Sequence, residues 1–208
     1  MATQIHSRFD DNPPTDTRYE QARRAMIDSQ LRTSGVNEPF VLARMAAVPR
    51  EDFVPEPQRA AAYMDRAVRL PDGGFLPAPV FHGMLLAEAN PQPGDHAVVV
   101  DGGSGYLAAL LEPLVATLAT IDAQAALAGK LGKGTPTVVL IDGAVEHLPD
   151  ALVAKLAEGT RVVTGLVERG VTRLAAGRKV GSGLALVTLA EVGVPRMAAF
   201  DRESRWSF

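Results

Sequence analysis

Cysteine is absent from the chain of 208 residues, which excludes disulfides, thiolate nucleophiles and cysteine metal sites. Aromatic residues make up only 5% of it, which argues against a ligand or RNA site built on stacking. Neither sign of charge is in large excess: the formal net charge is -3, and Lys and Arg are scattered. No basic stripe therefore points to a nucleic-acid backbone or an anionic membrane. No apolar run approaches the roughly 20 residues needed to cross a bilayer. The first residues, MATQIHSRFDDNPPTDTRYE, lack the apolar core of a signal peptide. A cytoplasmic protein without nucleic-acid or membrane partners is expected. Metal-binding spacing is missing too, because His6, His82, His96 and His147 are dispersed. No metal site is expected, and each histidine reads as a surface or polar-packing residue.

What the chain does contain is organised around AVVVDGGSGY, residues 97–106. Four apolar residues, Ala97 to Val100, suit a strand buried on both faces, and the glycines that follow allow a tight turn into a helix beginning near Tyr106. Strand, glycine-rich turn and helix in that order form the ligand-binding end of an open α/β sheet, so a nucleotide or nucleoside-cofactor site is expected. A second apolar piece, Thr117 to Ile121, ends in Asp122, nineteen positions after Gly103. An acid near that ~20-residue spacing can receive ribose hydroxyls, or it can simply cap the following helix. The G-K-G-T of residues 132–135 precedes a strand rather than joining a strand to a helix, which argues against a phosphate loop.

In chain order, residues 1–17 read as a flexible arm around Pro13 and Pro14. Helical spacing runs from Tyr19 to Thr33 and ends at Gly35; Asn37 is the expected cap of a second helix that stops at Val48-Pro49. A Pro/Gly-rich loop from Val68 to Pro79 is placed to cover a site, and a helix follows from Val80 to Ala89. After Asp122 come a short helix, a buried strand TVVLIDG ending at Asp142 and Gly143, and a helix from Leu148 to Leu156. Strands are expected at Arg161 to Leu166, Val171 to Leu174 and Leu184 to Leu189, the last two joined by a hairpin containing Gly177, Gly181 and Gly183. Trp206 and Phe208 end the chain and are expected to dock on the body or meet a partner.

Taken together, MIDSQLRTSGV, VLARMAAVPREDFVP, AAYMDRAVRLPDGG, GGSGYLAALL, ATID and IDGAVEHLPDALVAKLAEGTRVV resemble the protein-L-isoaspartate O-methyltransferases. The resemblance implies an α/β, Rossmann-like methyltransferase core over residues 80–208, with a shortened mixed sheet, and an N-terminal helical, substrate-side region over 18–79. It implies S-adenosylmethionine as cofactor, a protein or peptide carboxylate as substrate, and no metal. Cofactor contacts are expected from Asp101, Gly102, Gly103, Gly105, Asp122, Asp142 and Gly143, and substrate contacts from Phe53, Phe75, Leu76 and Pro77. No catalytic side chain is assigned, and a homodimer is a candidate assembly.

Three departures accompany the resemblance. Where the family's turn has an acid followed by an apolar residue and then G-T-G-S-G-Y, this chain has Val99 for the acid and Asp101 for the first glycine. The family's polar G-Q-T-I-S-Q-P loop is here Gly73 to Pro79, GGFLPAP, without either hydroxyl. Only fourteen residues separate Asp122 from TVVLID, too few for the strand and helix the family places there. These departures motivate a second expectation, a non-catalytic binding or scaffolding protein on the same fold. A dinucleotide oxidoreductase fits less well, since the first glycine of G-x-G-x-x-G is missing.

Overall fold

A computed structural model describes residues 15–202. Most of the expected arm, together with Trp206 and Phe208, lies outside the described residues. Helix α1 (Thr15–Met26) runs on through a π turn (Ile27–Leu31) and a 3-10 turn, and ends where Gly35 takes a left-handed conformation at φ 87°. Helix α2 (Pro39–Ala47) follows, with Pro39 in its first turn, where the missing N–H has no helical partner to lose. Its cap position is Glu38 rather than the expected Asn37, and no side chain caps it. Two short strands, β1 (Val68–Arg69) and β2 (Phe75–Leu76), pair antiparallel.

The remaining elements are α3 (Pro79–Ala89), β3 (His96–Val100), α4 (Tyr106–Leu111), β4 (Thr117–Ile121), α5 (Ala123–Leu127), β5 (Val138–Val145), α6 (Asp150–Val153), β6 (Arg161–Glu168), β7 (Val171–Val180) and β8 (Gly183–Glu191). The six longer strands form one sheet in the order β4-β3-β5-β6-β7-β8. Pairing is parallel from β4 through β6 and antiparallel from β6 through β8, the expected mixed sheet. Because the central strands are dominated by apolar residues, both sheet faces are covered. Val99, Val138 and Leu140 pack with Phe81, Leu85, Tyr106 and Leu107 on one face, while Val98, Val100, Val139 and Ile141 pack with Ala126, Leu152 and Phe200 on the other.

Several expectations need correction. Strand β5 runs on to Val145 instead of ending at Asp142 and Gly143, and α1 already begins at Thr15, inside the expected arm. The helix read over 148–156 is only four residues long, because Pro149 sets its start and it ends by Ala154. Strands β7 and β8 are longer than their apolar cores and turn at Gly181, so Gly177 lies inside β7 rather than in the hairpin connection. Its lack of a side chain is a packing requirement, since a Cβ there would stand 2.3 Å from the Ala185 carbonyl oxygen. Gly183 likewise belongs to β8.

Strand β4 is a sheet edge, as the short spacing after Asp122 implies. The loop that replaces the missing unit folds against it: a Cβ on Gly132 would meet the Ala119 Cβ at 3.1 Å.

At the opposite ends of the strands, Asp95 ties the sheet together. It accepts hydrogen bonds from the Thr137 hydroxyl (2.6 Å) and the Gln92 amide (2.8 Å), and it pairs with Arg161 at the start of β6. Burial works to raise its pKa, but the Thr137 and Gln92 hydrogen bonds and the Arg161 charge outweigh it and hold the carboxyl below its ordinary range. A depressed carboxyl stabilises the fold above its unfolded pKa, and this contribution is lost as pH falls through the lower folded value. Asp95→Asn is therefore expected to cost about 1–3 kcal/mol at neutral pH. In urea melts between pH 7 and pH 3, the gap between variant and parent should shrink toward the acid end.

Candidate functional site

The turn after β3 is held by its own acid. The Asp101 carboxylate accepts the Gly103 amide through Oδ2 (3.1 Å) and the Gly105 amide through Oδ1 (3.0 Å). Gly103 (φ 111°) and Gly105 (φ 71°) occupy backbone conformations that other residues rarely adopt. The turn thus reaches helix α4 in the way its glycines imply, with the two amides already satisfied by the residue that replaces a glycine. Burial raises the Asp101 pKa, and the nearby Asp142 charge adds to this against the two amide hydrogen bonds.

The Gly73 to Phe75 loop locks onto this turn. The Phe75 amide donates to the Gly102 carbonyl at 2.9 Å, and Phe75 bridges to Gly103. A Cβ on Gly102 would stand 2.7 Å from the Phe75 ring, and one on Gly74 would stand 2.8 Å from the Gly102 oxygen. Gly143, inside β5, lies beneath Met197 and the tip of Phe75, at 2.5 Å and 3.2 Å from the place its Cβ would take. Glycine is required at these points by close approach of protein to protein.

Outside this lock, a cleft of about 760 Å³ opens at the ends of β3 and β4. Asp101, Gly102, Gly103, Asp122, Phe75, Arg69 and Met197 all line it. Asp122 also caps α5, accepting the Ala125 amide at 2.7 Å, so it serves the helix and faces the cleft at once. A cavity of about 710 Å³ beside Glu146 and Arg173 touches neither the glycine turn nor Asp122.

The other expected site residues are placed differently. Asp142 and Gly143 are buried behind the cleft wall. Phe53 packs edge-on against the Tyr106 ring, with centroids 5.1 Å apart. Leu76 is fully buried, and the Pro77 carbonyl accepts from Arg50 at 2.6 Å. These three form the support of the site, and only Phe75 of the expected substrate-side residues reaches the cleft.

Beneath that support lies a polar chain that sequence reasoning did not assemble. The guanidinium of Arg50, fully buried, donates to the carbonyls of Ala62 (2.8 Å) and Pro77, stands 4.6 Å from the centre of the Tyr106 ring, and meets His82 Nδ1 at 3.0 Å. Arginine only donates, so His82 Nδ1 accepts and the ring proton sits on Nε2. That nitrogen donates to Asp142 Oδ1 at 2.8 Å. Burial pushes the His82 pKa down more strongly than Asp142 pulls it up, which keeps the imidazole neutral. Its partner residues are 32 and 60 positions away, so no local spacing signals the chain. Next to it, Tyr63 donates to Glu51 and accepts from Arg23 (2.8 Å), tying α1 to the segment that carries Arg50.

Residues 21–130 match the profile of a family described as protein-L-isoaspartate(D-aspartate) O-methyltransferase. The chain belongs to that family. A protein-L-isoaspartate O-methyltransferase from Koribacter versatilis is 33% identical over 174 residues, 72% of this chain and 78% of the relative. Another, from Herpetosiphon aurantiacus, is 32% identical over 70% of this chain and 75% of its own length. In fold, the chain is similar to a putative protein-L-isoaspartate O-methyltransferase from Plasmodium falciparum solved with S-adenosyl-L-homocysteine. The TM-score is 0.65 at 18% identity, covering 86% of this chain and 97% of that one. The fold is therefore the Rossmann-like methyltransferase fold of this family. Arg50 and His82 both fall within the matched region. The VPREDFVP segment, which carries much of the resemblance, has a physical reason for its Arg50 and Glu51, since both are buried, Arg50 hydrogen-bonded to backbone carbonyls and Glu51 paired with Arg23.

Replacing Arg50 with Leu would leave the Pro77 and Ala62 carbonyls and His82 without their donor. A loss of about 3–5 kcal/mol is expected, measured by chemical denaturation, and Arg50→Lys should recover only part of it because one ammonium cannot reproduce the planar fork.

Proposed function

We propose that the cleft binds S-adenosylmethionine and that the protein transfers its methyl group to a carboxylate, an isoaspartyl carboxyl in a protein or peptide. The observation that carries this reading is the cleft itself, a space of about 760 Å³ bounded by the glycine turn on one side and Asp122 on the other. Its volume lies within the range of small-molecule sites. Its position at strand ends, where α/β sheets take ligands, agrees with family membership.

The residues present fit the group. Asp122 at the rim is an acceptor for ribose hydroxyls, Gly102 and Gly103 allow close approach along the turn, and Gly105 has nothing within 4 Å of the place a Cβ would occupy. Asp101 would hold the cofactor's amino-acid end, where its carboxylate suits an ammonium and opposes a carboxylate; Arg69, exposed on the cleft wall, would offer the opposite charge. Asp142 and Gly143 close the site from behind. When bound, the cofactor supplies an electrophilic methyl on a cationic sulfur. A carboxylate is already a nucleophile, so no side chain has to move a proton, and the protein's work is positioning and exclusion of water. Phe75 and Met197 supply the apolar wall for that exclusion. Residues 18–79 serve as the substrate-side region.

The non-catalytic alternative is not favoured. Asp101 folds back onto the turn without collapsing it, and the missing strand unit leaves the glycine turn and Asp122 in place.

Titration calorimetry should give a dissociation constant in the range of about tens of micromolar or tighter for S-adenosylmethionine, and an isoaspartyl peptide should accept the methyl group. Absence of heat at millimolar cofactor overturns the proposal. Asp101→Gly frees the Gly103 and Gly105 amides for the cofactor carboxylate, so its affinity should rise by about tenfold, in line with the roughly 1.5–3 kcal/mol of a hydrogen bond to a charged group.

A further inference from the structure

The cavity of about 710 Å³ lies at the same end of the sheet as the cleft, where the parallel strands β5 and β6 finish. Leu166, Val167 and Val171 give it an apolar wall. Of its two acids, Glu146 pairs with Arg196 (2.6 Å) and accepts the Arg202 amide (2.7 Å), while Glu168 faces Arg173 at 3.6 Å. Arg169 and Arg202 also line the cavity; both are exposed, and neither forms an ion pair among the described residues. Two positive charges are therefore left over beside an apolar wall. Arg169 is held there against its own backbone preference. It shares the two-residue turn between β6 and β7 with Gly170, at φ 51° and 79°, where Asn or Gly is the usual first residue and an arginine is strained. The segment from Pro195 to Met197 joins this cavity to the cleft. The Ala144 amide donates to the Pro195 carbonyl and the Met197 amide to the Ala144 carbonyl, both at 2.8 Å. Arg196 lines the cleft and reaches Glu146 on the cavity, so a single arginine side chain spans the two spaces.

We propose that this cavity is a subsite for the peptide chain that carries the methylated carboxyl, and that Arg169 and Arg202 make it prefer an acidic residue a few positions away from that carboxyl. The proposal rests on the methyl-transfer reading above and narrows its substrate class to isoaspartyl peptides with an acidic, partly apolar flank. An extended chain advances roughly 3.3–3.6 Å per residue, so a peptide whose reacting carboxyl lies in the cleft carries its next few residues past Arg196 to the cavity. A guanidinium offers a carboxylate two parallel hydrogen bonds, and the Leu166, Val167 and Val171 wall takes an aliphatic neighbour. A lysine in the same flank would meet two like charges. A small inorganic anion would leave the apolar wall uncovered, which is why a peptide is the better fit.

The test is steady-state methylation of isoaspartyl peptides that differ only in a Glu or a Lys placed two or three positions from the isoaspartyl residue, on either side. The parent should favour a Glu peptide over its Lys counterpart by about fivefold or more in kcat/KM, the scale of one or two partly exposed charge pairs. The difference should lie in KM, with kcat unchanged, and shrink as salt is raised. Arg169→Glu and Arg202→Glu should each lower the preference, and the double variant should reverse it. Arg169→Asn separates recognition from stability. Asparagine suits the left-handed turn position, so thermal melting should hold or rise while the preference falls. Equal kcat/KM for Glu and Lys peptides in the parent overturns this proposal, as does a preference that Arg169→Asn and Arg202→Glu leave unmoved; either result leaves the methyl-transfer reading standing. A mass that doubles with concentration in light scattering, and reverts in Arg169→Glu, assigns the face to a second copy of the chain and also overturns it. If the parent methylates no isoaspartyl peptide, the methyl-transfer reading falls, and this proposal with it.

Discussion

A single buried guanidinium organises the side of the molecule that carries the site. Arg50 draws together the Ala62 carbonyl, the Pro77 carbonyl, His82 on α3 and the ring of Tyr106 at the start of α4. A charge removed from water is tolerated only where donors and counter-charge are satisfied together, so these segments have one arrangement available to them. The N-terminal helical region is fixed by the same requirement. Tyr63 joins Glu51 and Arg23, and Arg44 donates to the final carbonyls of α4, at Ala109 (2.9 Å) and Leu110 (3.0 Å). A cation at those carbonyls also complements the negative end of the helix.

The effect reaches the cleft through backbone. Pro77, held by Arg50, begins the turn into α3, and β2 just before it carries Phe75 onto the glycine turn. Glycines at 74, 102 and 143 let the loop, the turn and Met197 approach within contacts that any side chain would block. The cleft wall is therefore closely packed at these points. Asp101 compensates locally for its own intrusion, committing its two oxygens to the amides of Gly103 and Gly105.

The shortened sheet shows how much of a fold can be lost without disturbing its ligand-binding end. β4 keeps its parallel register with β3 from His96↔Thr117 to Val100↔Ile121, so Asp122 stays level with the turn. At the other end of the strands, Asp95 joins the segment before β5 to the start of β6 through Thr137 and Arg161. The missing unit is compensated in part by the loop that packs against Ala119.

Local pattern determined most of the architecture. Unbroken apolar runs at Ala97 to Val100 and Val138 to Ile141 require strands covered on both faces. Prolines and glycines set the loop ends, and the nineteen-residue step from Gly103 placed Asp122 at the next strand end. The motifs around GGSGY and VPREDFVP identified the family. Tertiary structure alone decided the charges. Nothing near His82 in the chain distinguishes it from a polar-packing histidine, because Arg50 and Asp142 reach it across 32 and 60 positions. Phe53, Leu76 and Pro77 likewise became support rather than surface once Tyr106 and Arg50 arrived beside them. Apolar periodicity is written along one strand or helix, whereas a buried ion's partners are chosen by what the folded sheet brings within hydrogen-bonding distance.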